Sequence, residues 1–331
     1  MLALLGVLLL GGNLPTSAGI NASGDLTSIE IPENLTGSID VASHMQYVKD
    51  SDHQLTINTI LDSSLNWSPI DRESPNFGFT EAAFWFRIPL VNQASQAQEI
   101  LLELPIPFLD NINLYQVHAG SIVQSYHLGD SLPFSDRPLK HPNFIMPLEL
   151  SPGDSTLYLR IASSGTVEAP LTIWNSHSFM LASSDIHLFE GIWAGIIAIM
   201  VVYNFLLFFS IREPGYLYYS GFALFYLLFQ ISLSGYAFAY IWPDSLRWNS
   251  HSIPTTIALC NLFTALLTIS FLHLKQTSPG WYRVMAGLAI FTGIMVIATF
   301  FAPYSLTVRI TSLTTLLMCT LAPMLSFRAW Y

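Results

Sequence analysis

Apolar and polar residues alternate over short segments in the first half of the chain, as they do in half-buried β-strands. This alternation predicts seven strands, bounded by Gly, Pro, Asn, Asp or Ser, at residues 84–91, 99–105, 113–117, 122–128, 143–150, 156–162 and 171–174. Short strands at regular spacing are typical of two packed sheets. We therefore predict an all-β domain of the β-sandwich or jelly-roll class over residues 20–184.

The second half of the chain carries five long apolar segments, at residues 188–210, 216–241, 253–274, 284–302 and 306–327. A helix needs about 20 apolar residues to cross a hydrocarbon layer about 30 Å thick, and a barrel strand needs about half as many. The lengths favour helices. An all-α bundle of about five transmembrane helices is therefore predicted over residues 187–331, with the lipid bilayer as its partner.

The first residues have the character of an export signal. Residues 1–10 are apolar, residues 11–18 are small and polar, and Thr16 and Ala18 place small side chains before a cleavage point at Gly19. The basic residue that usually opens such a signal is missing, and the apolar run is too short to span a bilayer as a helix. We predict a signal peptide at residues 1–18 and an exported domain after it.

The distribution of charge supports the same division. Residues 1–185 contain 19 acidic and 6 basic residues, a balance of −13, whereas residues 186–331 contain 3 and 6, a balance of +3. Ionised groups are costly in hydrocarbon, so their scarcity over the second half is expected of membrane spans. The acidic first half argues against nucleic acid as a partner, because nucleic-acid sites are basic.

Motifs for nucleotide or metal chemistry are missing from the sequence. It has no GxxxxGK[ST], GxGxxG or HExxH motif and no His or Cys cluster at metal-ligand spacing. Its two cysteines, Cys260 and Cys319, both fall in predicted spans, where we interpret them as small packing residues. We predict no metal, no cofactor and no catalytic residue.

Basic residues in the short loops indicate the orientation of the bundle. If the first domain is outside, four basic residues lie on the inside and two on the outside: Arg212, Lys275, Arg283 and Arg328 against Arg247 and Arg309. This distribution predicts a multi-pass protein of the bacterial cytoplasmic membrane. Its first domain is then periplasmic and its C-terminus cytoplasmic.

Few polar side chains fall inside the predicted spans. We interpret Asn204 and Asn261 as hydrogen-bonding partners of neighbouring helices, and the GxxxG pattern at Gly191 and Gly195 as a surface that lets a helix pack closely. A transporter would need charged or polar groups along a path through the membrane. These residues are too few to favour that function.

Aromatic residues of the first half form a candidate ligand surface, because sandwich domains often bind sugars by stacking them on exposed rings. Trp85 and Trp174 lie in predicted strands beside apolar neighbours, and we interpret them as core residues. Trp67 and Phe134 lie in predicted loops and are the better ligand candidates.

Several sequence blocks, taken together, resemble the bacterial seven-transmembrane receptors with diverse intracellular signalling modules, the 7TMR-DISM family. In the first half they are NFGFT at 76–80, FWFR at 84–87, LDNINLY at 109–115, GD at 129–130, PFSDR at 133–137, YLRI at 158–161 and PLTIW at 170–174. In the second half they are EG at 190–191, YNFLLF at 203–208 and REPGYLYY at 212–219. Each block alone is weak, and their order along residues 39–331 makes the resemblance specific.

The resemblance implies a jelly-roll extracellular domain, similar to carbohydrate-binding modules, on a receptor bundle. It also implies a cytoplasmic output such as a diguanylate cyclase or a histidine kinase. Arg87, Asp130 and Arg137 lie in the matching blocks among aromatic residues, and they join Trp67 and Phe134 as candidate ligand-binding residues. A structural ion pair or a turn hydrogen bond is the alternative role for the three charged residues.

The chain differs from the family pattern in two respects. Five spans are predicted instead of seven, and the sequence contains no GGDEF, kinase-histidine or phosphatase motif. We therefore expect a fragment of a longer receptor or the product of a truncated gene, with a signalling output in cis or in trans. A free-standing short sensor is the alternative.

The predicted function is signal transduction without enzymatic activity in this chain. The exported domain senses a small molecule, for which a carbohydrate is one candidate, and the bundle relays the signal. The alternatives are a membrane transporter and an assembly protein whose exported domain holds a partner.

Overall fold

The computed structural model describes residues 28–62, 65–70 and 75–330. Up to residue 174 the described chain is rich in β-strands, and from residue 176 onward it is helical. The predicted fold class, an all-β domain followed by an α-helical bundle, is thereby confirmed. The predicted signal peptide at residues 1–18 lies outside the described residues.

Within the described residues, the first part contains thirteen strands and one short α-helix. In chain order they are β1 (Ile29–Ile31), β2 (Ser38–Asp40), β3 (Gln46–Asp50), α1 (Ile57–Asp62), β4 (Ser68–Pro69), β5 (Asn76–Phe79), β6 (Ala83–Asn92), β7 (Gln98–Leu104), β8 (Asn111–His118), β9 (Ser121–Leu128), β10 (Phe144–Leu150), β11 (Gly153–Ala162), β12 (Thr166–Glu168) and β13 (Thr172–Trp174). All seven predicted strands are present. The strands that the alternation missed are short, and several are largely polar.

Most of the strands belong to two sheets. One has the order β4-β3-β6-β11-β8-β9, with β1 running parallel to the end of β6, and the other has the order β10-β7-β13-β2. Strands β5 and β12 form a separate pair. Consecutive strands such as β6 and β7 lie in different sheets, so the chain crosses repeatedly between the two layers, as in a sandwich.

The core lies between these sheets and follows from the period-two pattern. Every second residue of β6 and β7 enters it and is almost fully buried: Phe84, Phe86, Ile88 and Leu90 from β6, and Ile100, Leu102 and Leu104 from β7. Full burial of one large apolar side chain contributes about 1.5–3 kcal/mol. This layer therefore stabilises a domain that has no cysteine to form a disulfide.

Of the two tryptophans predicted as core residues, Trp85 is buried as predicted, although outside this layer, and Trp174 is only half-buried. Trp85 is only 1% exposed, but its neighbours Phe84 and Phe86 occupy the core positions. Its ring therefore lies on the outer face of the larger sheet, where it stacks on Tyr115 with 6.1 Å between ring centres. Trp174 is half-buried at the end of β13 and packs against Phe179, which belongs to the helical part.

Seven helices follow the sandwich in the described chain: α2 (Ser176–Ile211), α3 (Pro214–Leu233), α4 (Tyr236–Tyr240), α5 (Leu246–Phe271), α6 (Leu274–Thr277), α7 (Pro279–Ala298) and α8 (Tyr304–Trp330). Five of them, α2, α3, α5, α7 and α8, are long and apolar enough to cross a membrane, as predicted.

Helix α2 begins earlier than the apolar segment at residues 188–210 suggests. The Oδ1 atom of Asn175 accepts hydrogen bonds from the backbone N–H groups of His177 and Ser178, at 3.0 and 3.2 Å. This N-cap satisfies two of the backbone donors that a helix start leaves free. Because α2 starts at Ser176, it runs without a break through the predicted boundary between residues 184 and 187.

The predicted span at residues 216–241 is divided. Helix α3 ends at Leu233, and Gly235 has a positive φ of +78°, which an α-helix does not allow. The chain then forms the short helix α4. The hydropathy of this segment is continuous, so the pattern of apolar residues alone did not show the break.

One of the two intramembrane asparagines bridges helices as predicted. The Nδ2 atom of Asn261 in α5 donates to the carbonyl oxygen of Thr311 and to Oγ1 of Thr315, both in α8, at 3.2 and 3.0 Å. Asn204 instead donates to the carbonyl oxygen of Met200 within its own helix, at 2.8 Å. The prediction for Asn204 was therefore wrong.

The glycines of α2 and α3 differ in what surrounds them. A Cβ atom added to Gly221 in α3 would lie 2.3 Å from the ring of Phe263 in α5, so these helices pack closely at that point. Added Cβ atoms at Gly191 and Gly195 of the GxxxG pattern meet nothing within 4 Å. The predicted close packing through this pattern is not formed between helices of the described chain.

We predict that Gly221→Ala destabilises the bundle by about 1–3 kcal/mol, because the Phe263 ring must move. Gly191→Ala is the matched control and should be neutral or stabilising by up to about 1 kcal/mol, since alanine favours helix and has open space. Unfolding of both variants in detergent micelles measures the difference. Equal stabilities would contradict the close contact between α3 and α5.

Candidate functional site

Two loops of the sandwich reach the bundle and form a junction with it. The first loop, residues 105–110, connects β7 to β8, and the second, residues 129–143, connects β9 to β10. They meet the segment of the bundle that runs from the end of α3 through α4 to the start of α5. Because three of the five predicted site residues lie on the second loop, we take this junction as the candidate functional site.

Pro107 of the first loop packs directly on Gly235, where the second span is broken. A Cβ atom at Gly235 would lie 2.6 Å from Cβ of Pro107 and 3.0 Å from the carbonyl oxygen of Pro142. Glycine is therefore required at this position for two reasons, its positive φ and the close approach of both sandwich loops.

Phe134 of the second loop anchors that loop on α4. Its ring contacts the ring of Phe238 edge-on, at 5.5 Å between centres and 87° between planes, and it is only 6% exposed. Ala239, Trp242 and Leu246 complete the cluster. The ring of Phe134, predicted to bind a ligand, is thus covered by the bundle. Apolar residues of the bundle remove this ring from water, which the loop alone could not do.

Arg137 lies beneath this contact and is almost fully buried. Its guanidinium carbon lies 4.0 Å from the ring centre of Phe144, 4.7 Å from that of Phe134 and 5.7 Å from that of Phe238. Nη1 donates to the carbonyl oxygens of His141 and Pro142, whereas Nε and Nη2 have no hydrogen-bond partner among the described residues. Burial lowers the pKa of Arg137 to about 10, so the cation persists at neutral pH and is held by rings and carbonyls.

A chain of hydrogen bonds connects the second loop to two helices. Nδ1 of His141 accepts from the backbone N–H of Asn143 at 3.0 Å, so its Nε2 carries the proton and donates to Oγ of Ser183 in α2, at 3.1 Å. The Ser183 hydroxyl can then donate to Nε2 of His187, which leaves Nδ1–H of His187 to donate to the hydroxyl of Tyr236 in α4. Burial and the neighbouring His187 lower the pKa of His141 to about 4, so the chain contains a neutral imidazole.

Asp130 and Asp110 lie side by side at the other edge of the junction. The turn before Asp130 is tight, since a Cβ atom at Gly129 would lie 2.0 Å from the carbonyl oxygen of Asp110. Burial, the charge of Asp110 and a hydrogen bond shared with it raise the pKa of Asp130 to about 7, against the opposing effect of Arg137. The Asp130 carboxyl therefore gains or loses its proton near neutral pH.

Each side of the Pro107 contact has a space open to a small ligand. A cavity of about 220 Å³ is lined by Asp110 and Asp130 of the sandwich and by Asn249 and Tyr304 of the bundle. A cleft of about 280 Å³ on the other side includes Glu103, Asn143, Trp174, His141 and Glu190. In that cleft the carboxylate of Glu103 accepts hydrogen bonds from Nε1 of Trp174 and Nδ2 of Asn143, both at 2.7 Å.

The remaining two predicted site residues lie elsewhere, on the outer face of the larger sheet. Trp67 is half-buried, with the guanidinium carbon of Arg87 4.9 Å from its ring centre and the Tyr158 ring at 6.2 Å. Arg87 also donates to Oε1 of Gln46. The structure therefore separates the five predicted residues into two groups, Asp130, Phe134 and Arg137 at the junction and Trp67 and Arg87 away from it.

Sequence reasoning missed Pro107, Asp110, His141 and Gly235 as functional candidates. Of these, only Asp110 lies in one of the family-like blocks. A glycine in a long apolar segment, preceded by Ser232, Leu233 and Ser234, is a signal for a break that could have been used. No sequence signal indicated that Gly235 faces Pro107, because that contact joins positions far apart in the chain.

Two family models match this chain, and between them they cover both parts of the structure. The 7TMR-DISM extracellular 2 model matches residues 42–175, and the model described as 7TM diverse intracellular signalling matches residues 186–331. The chain belongs to the 7TMR-DISM family. A comparison with curated proteins gave no match.

The two 7TMR-DISM matches leave residues 176–185 between them, and these residues form the first turns of α2. Phe179 and Ser183 lie in this segment and contact the sandwich, Phe179 through Leu101 and Ile145, and Ser183 through His141. The 7TMR-DISM domains are therefore joined by a continuous helix and by the junction packed beside it.

We predict that Gly235→Ala in this 7TMR-DISM chain separates Pro107 from α4 and destabilises the junction by about 2–4 kcal/mol, from backbone strain and overpacking. Gly120→Ala is the matched control, because Gly120 also has a positive φ, of +76°, but has open space around its Cβ position. It should cost about 1 kcal/mol, the strain alone. Thermal unfolding in lipid nanodiscs compares the two, and equal losses would contradict the role of the Pro107 contact.

The raised pKa of Asp130 and the lowered pKa of His141 predict opposite pH dependences. Folded Asp130 keeps its proton up to about pH 7, so its contribution to stability is complete below about pH 4 and is lost as the pH rises through 7. Folded His141 stays neutral down to about pH 4, so its contribution is complete above about pH 6.5 and is lost as the pH falls through 4.

Wild type should therefore lose stability relative to Asp130→Asn as the pH rises from about 4 to 7. It should lose stability relative to His141→Gln as the pH falls from about 6.5 to 4. Unfolding measured over this pH range, with Asp136→Asn as an exposed control on the same loop, tests both signs. Curves that run parallel for all variants would exclude these protonation states.

Proposed function

We propose that this chain is the sensing and relay part of a membrane receptor. The β-sandwich lies on the outer side of the cytoplasmic membrane and binds a small molecule. The junction transmits binding to the bundle, and the opposite ends of the helices act on a cytoplasmic signalling output in cis or in trans. We propose no enzymatic activity for this chain itself.

The observation that carries the proposal is the direct packing of two sandwich loops against the bundle at the junction. A domain held only by its linker could bind a ligand without affecting the helices. Here Pro107 contacts Gly235 at the break between α3 and α4, and Phe134 packs against Phe238 of α4. A ligand that favours one arrangement of the loops would therefore also favour one arrangement of these helices.

The proposed orientation rests on the family and on charge. The matched extracellular model supports a sandwich outside the membrane. The helix order puts Arg247 and Arg309 at the sandwich end of the bundle, and the guanidinium of Arg309 lies 4.7 Å from the ring centre of Phe79. The four basic residues expected inside lie at or near helix ends on the opposite side of the bundle, with Arg212, Lys275 and Arg283 around the connections and Arg328 in the last turn of α8. This distribution agrees with the preference of basic residues for the cytoplasmic side.

A transporter is less well supported by the contacts in the membrane. The polar groups of Asn204, Asn261 and Ser220 bond to helix carbonyls or to threonine. They stabilise the bundle and do not line either of the two spaces described at the junction. A carbohydrate remains a candidate ligand for the outer face at Trp67, where an indole ring and a guanidinium are adjacent.

We predict that Phe134→Ala loosens α4 and the start of α5 by removing the ring that joins the loop to Phe238. Hydrogen–deuterium exchange of the full chain in lipid nanodiscs should rise at least several-fold over residues 236–249. Exchange in the strands of the sandwich should stay unchanged. Trp67→Ala is the matched control, since it removes a larger ring distant from the junction. Unchanged exchange over residues 236–249 in Phe134→Ala would contradict coupling through this contact.

A further inference from the structure

The cavity of about 220 Å³ at the junction has an unusual acidic lining. Two carboxyls, Asp110 and Asp130, face it, and no Lys, Arg or His is among the described residues that line it. The carboxyl of Asp130 is 7% exposed, and the side-chain hydrogen bond that it shares with Asp110 joins two acidic groups and brings no positive charge. A buried carboxylate without a cationic partner is costly unless it is neutralised.

The basic group nearest in the chain does not fill this role. Arg137 attracts Asp130 electrostatically, but its Nη1 is bonded to carbonyl oxygens and its guanidinium is stacked among three aromatic rings. Asp110 accepts a hydrogen bond from the backbone N–H of Ser164 at 2.6 Å, which is a neutral donor. The cavity therefore offers acceptors and lacks a matching cationic donor.

We propose that this cavity binds a small organic ammonium ion, held by Asp110 and Asp130. An ammonium group carries N–H donors and a positive charge, which satisfy both carboxylates at once. The rings of Phe108, Phe238 and Tyr304 line the same cavity, and aromatic rings attract organic cations. A cavity of this size suits a ligand with only a few carbon atoms.

A hard metal ion fits the lining less well. Ca²⁺ takes six to eight oxygen ligands, usually with several carboxylates. No group of three or more His, Cys, Asp or Glu side chains that could hold a metal occurs in the part of the chain described. An organic cation instead uses both the carboxylates and the apolar rings that the cavity provides.

The inference rests on the proposed receptor function and names the ligand class for the same junction. Asp110 and Asp130 belong to the sandwich, whereas Asn249 and Tyr304 belong to the bundle, so a ligand in the cavity contacts both. The ligand therefore binds more tightly when the sandwich and the bundle are in contact than when they are apart. Such a difference in affinity is what shifts the equilibrium between two arrangements.

Competition with a proton gives the binding a characteristic pH dependence. The ammonium replaces the proton that Asp130 holds in the empty cavity, and the groups facing Asp130 are Asp110, Arg137 and Tyr304. With the pKa of Asp130 at about 7, affinity should be roughly tenfold higher at pH 8 than at pH 6. Binding at pH 6 should release up to one proton.

The test uses the full chain in nanodiscs of neutral lipid, with butylammonium as the probe and butanol, glucose and Ca²⁺ as comparison ligands. Ligand-observed NMR titrations at pH 6 and pH 8 should show saturable binding of butylammonium and none of butanol. Asp130→Asn should weaken binding at least tenfold at pH 8, whereas Asp136→Asn on the same loop should leave it unchanged. Asp110→Asn is a second variant, because its amide oxygen can still accept from the N–H of Ser164.

Several outcomes overturn the inference: no saturable binding of butylammonium, affinity for butylammonium unaffected by both substitutions, or equal binding of butanol, Ca²⁺ or glucose that Asp130→Asn weakens in the same way. Hydrogen exchange over residues 236–249 shows whether the ligand class or the receptor proposal is wrong. If butylammonium does not bind but Phe134→Ala still raises exchange there, only the ligand class is wrong. If butylammonium binds without changing that exchange, the cavity is a binding site and its coupling to the helices is wrong.

Discussion

Charge that is removed from water must be neutralised, and this constraint shapes both parts of the molecule. In the bundle it appears as the near absence of ionised side chains from five apolar helices. At the junction three ionisable groups are buried or half-buried, and each is accommodated differently. Asp130 keeps a proton, His141 remains neutral, and Arg137 is surrounded by rings and carbonyl oxygens.

The same constraint makes the junction suited to transmit a signal. Burial of Asp130 and His141 depends on the docked loops, so any change in loop position changes the cost of keeping these groups uncharged. In the proposed relay, that change reaches the helices at Gly235, which has no side chain to separate Pro107 from the backbone. Function in this 7TMR-DISM chain is therefore expected where the two domains meet, more than on either domain alone.

What the sequence could predict about an individual residue depended on how far away along the chain its contacts lie. Alternation placed Ile100, Leu102 and Leu104 in the core, because a strand's two faces are fixed locally. For Phe134 the sequence pattern could not show the partner ring of Phe238, which lies more than a hundred residues away. Trp85 is buried as predicted, but only the structure shows that it lies on the outer face of β6, where Tyr115 of β8 covers it.

By itself the sequence determined the fold class, the seven longer or more apolar strands, the number of apolar helices and the family. These depend on local periodicity and on the cost of charge in hydrocarbon, both of which act along a continuous segment of chain. Only the tertiary structure decided that Asp130, Phe134 and Arg137 meet the bundle, that the second span breaks at Gly235, and that two carboxyls share one cavity. These features arise because packing brings distant residues together, and periodicity carries no information about which residues meet.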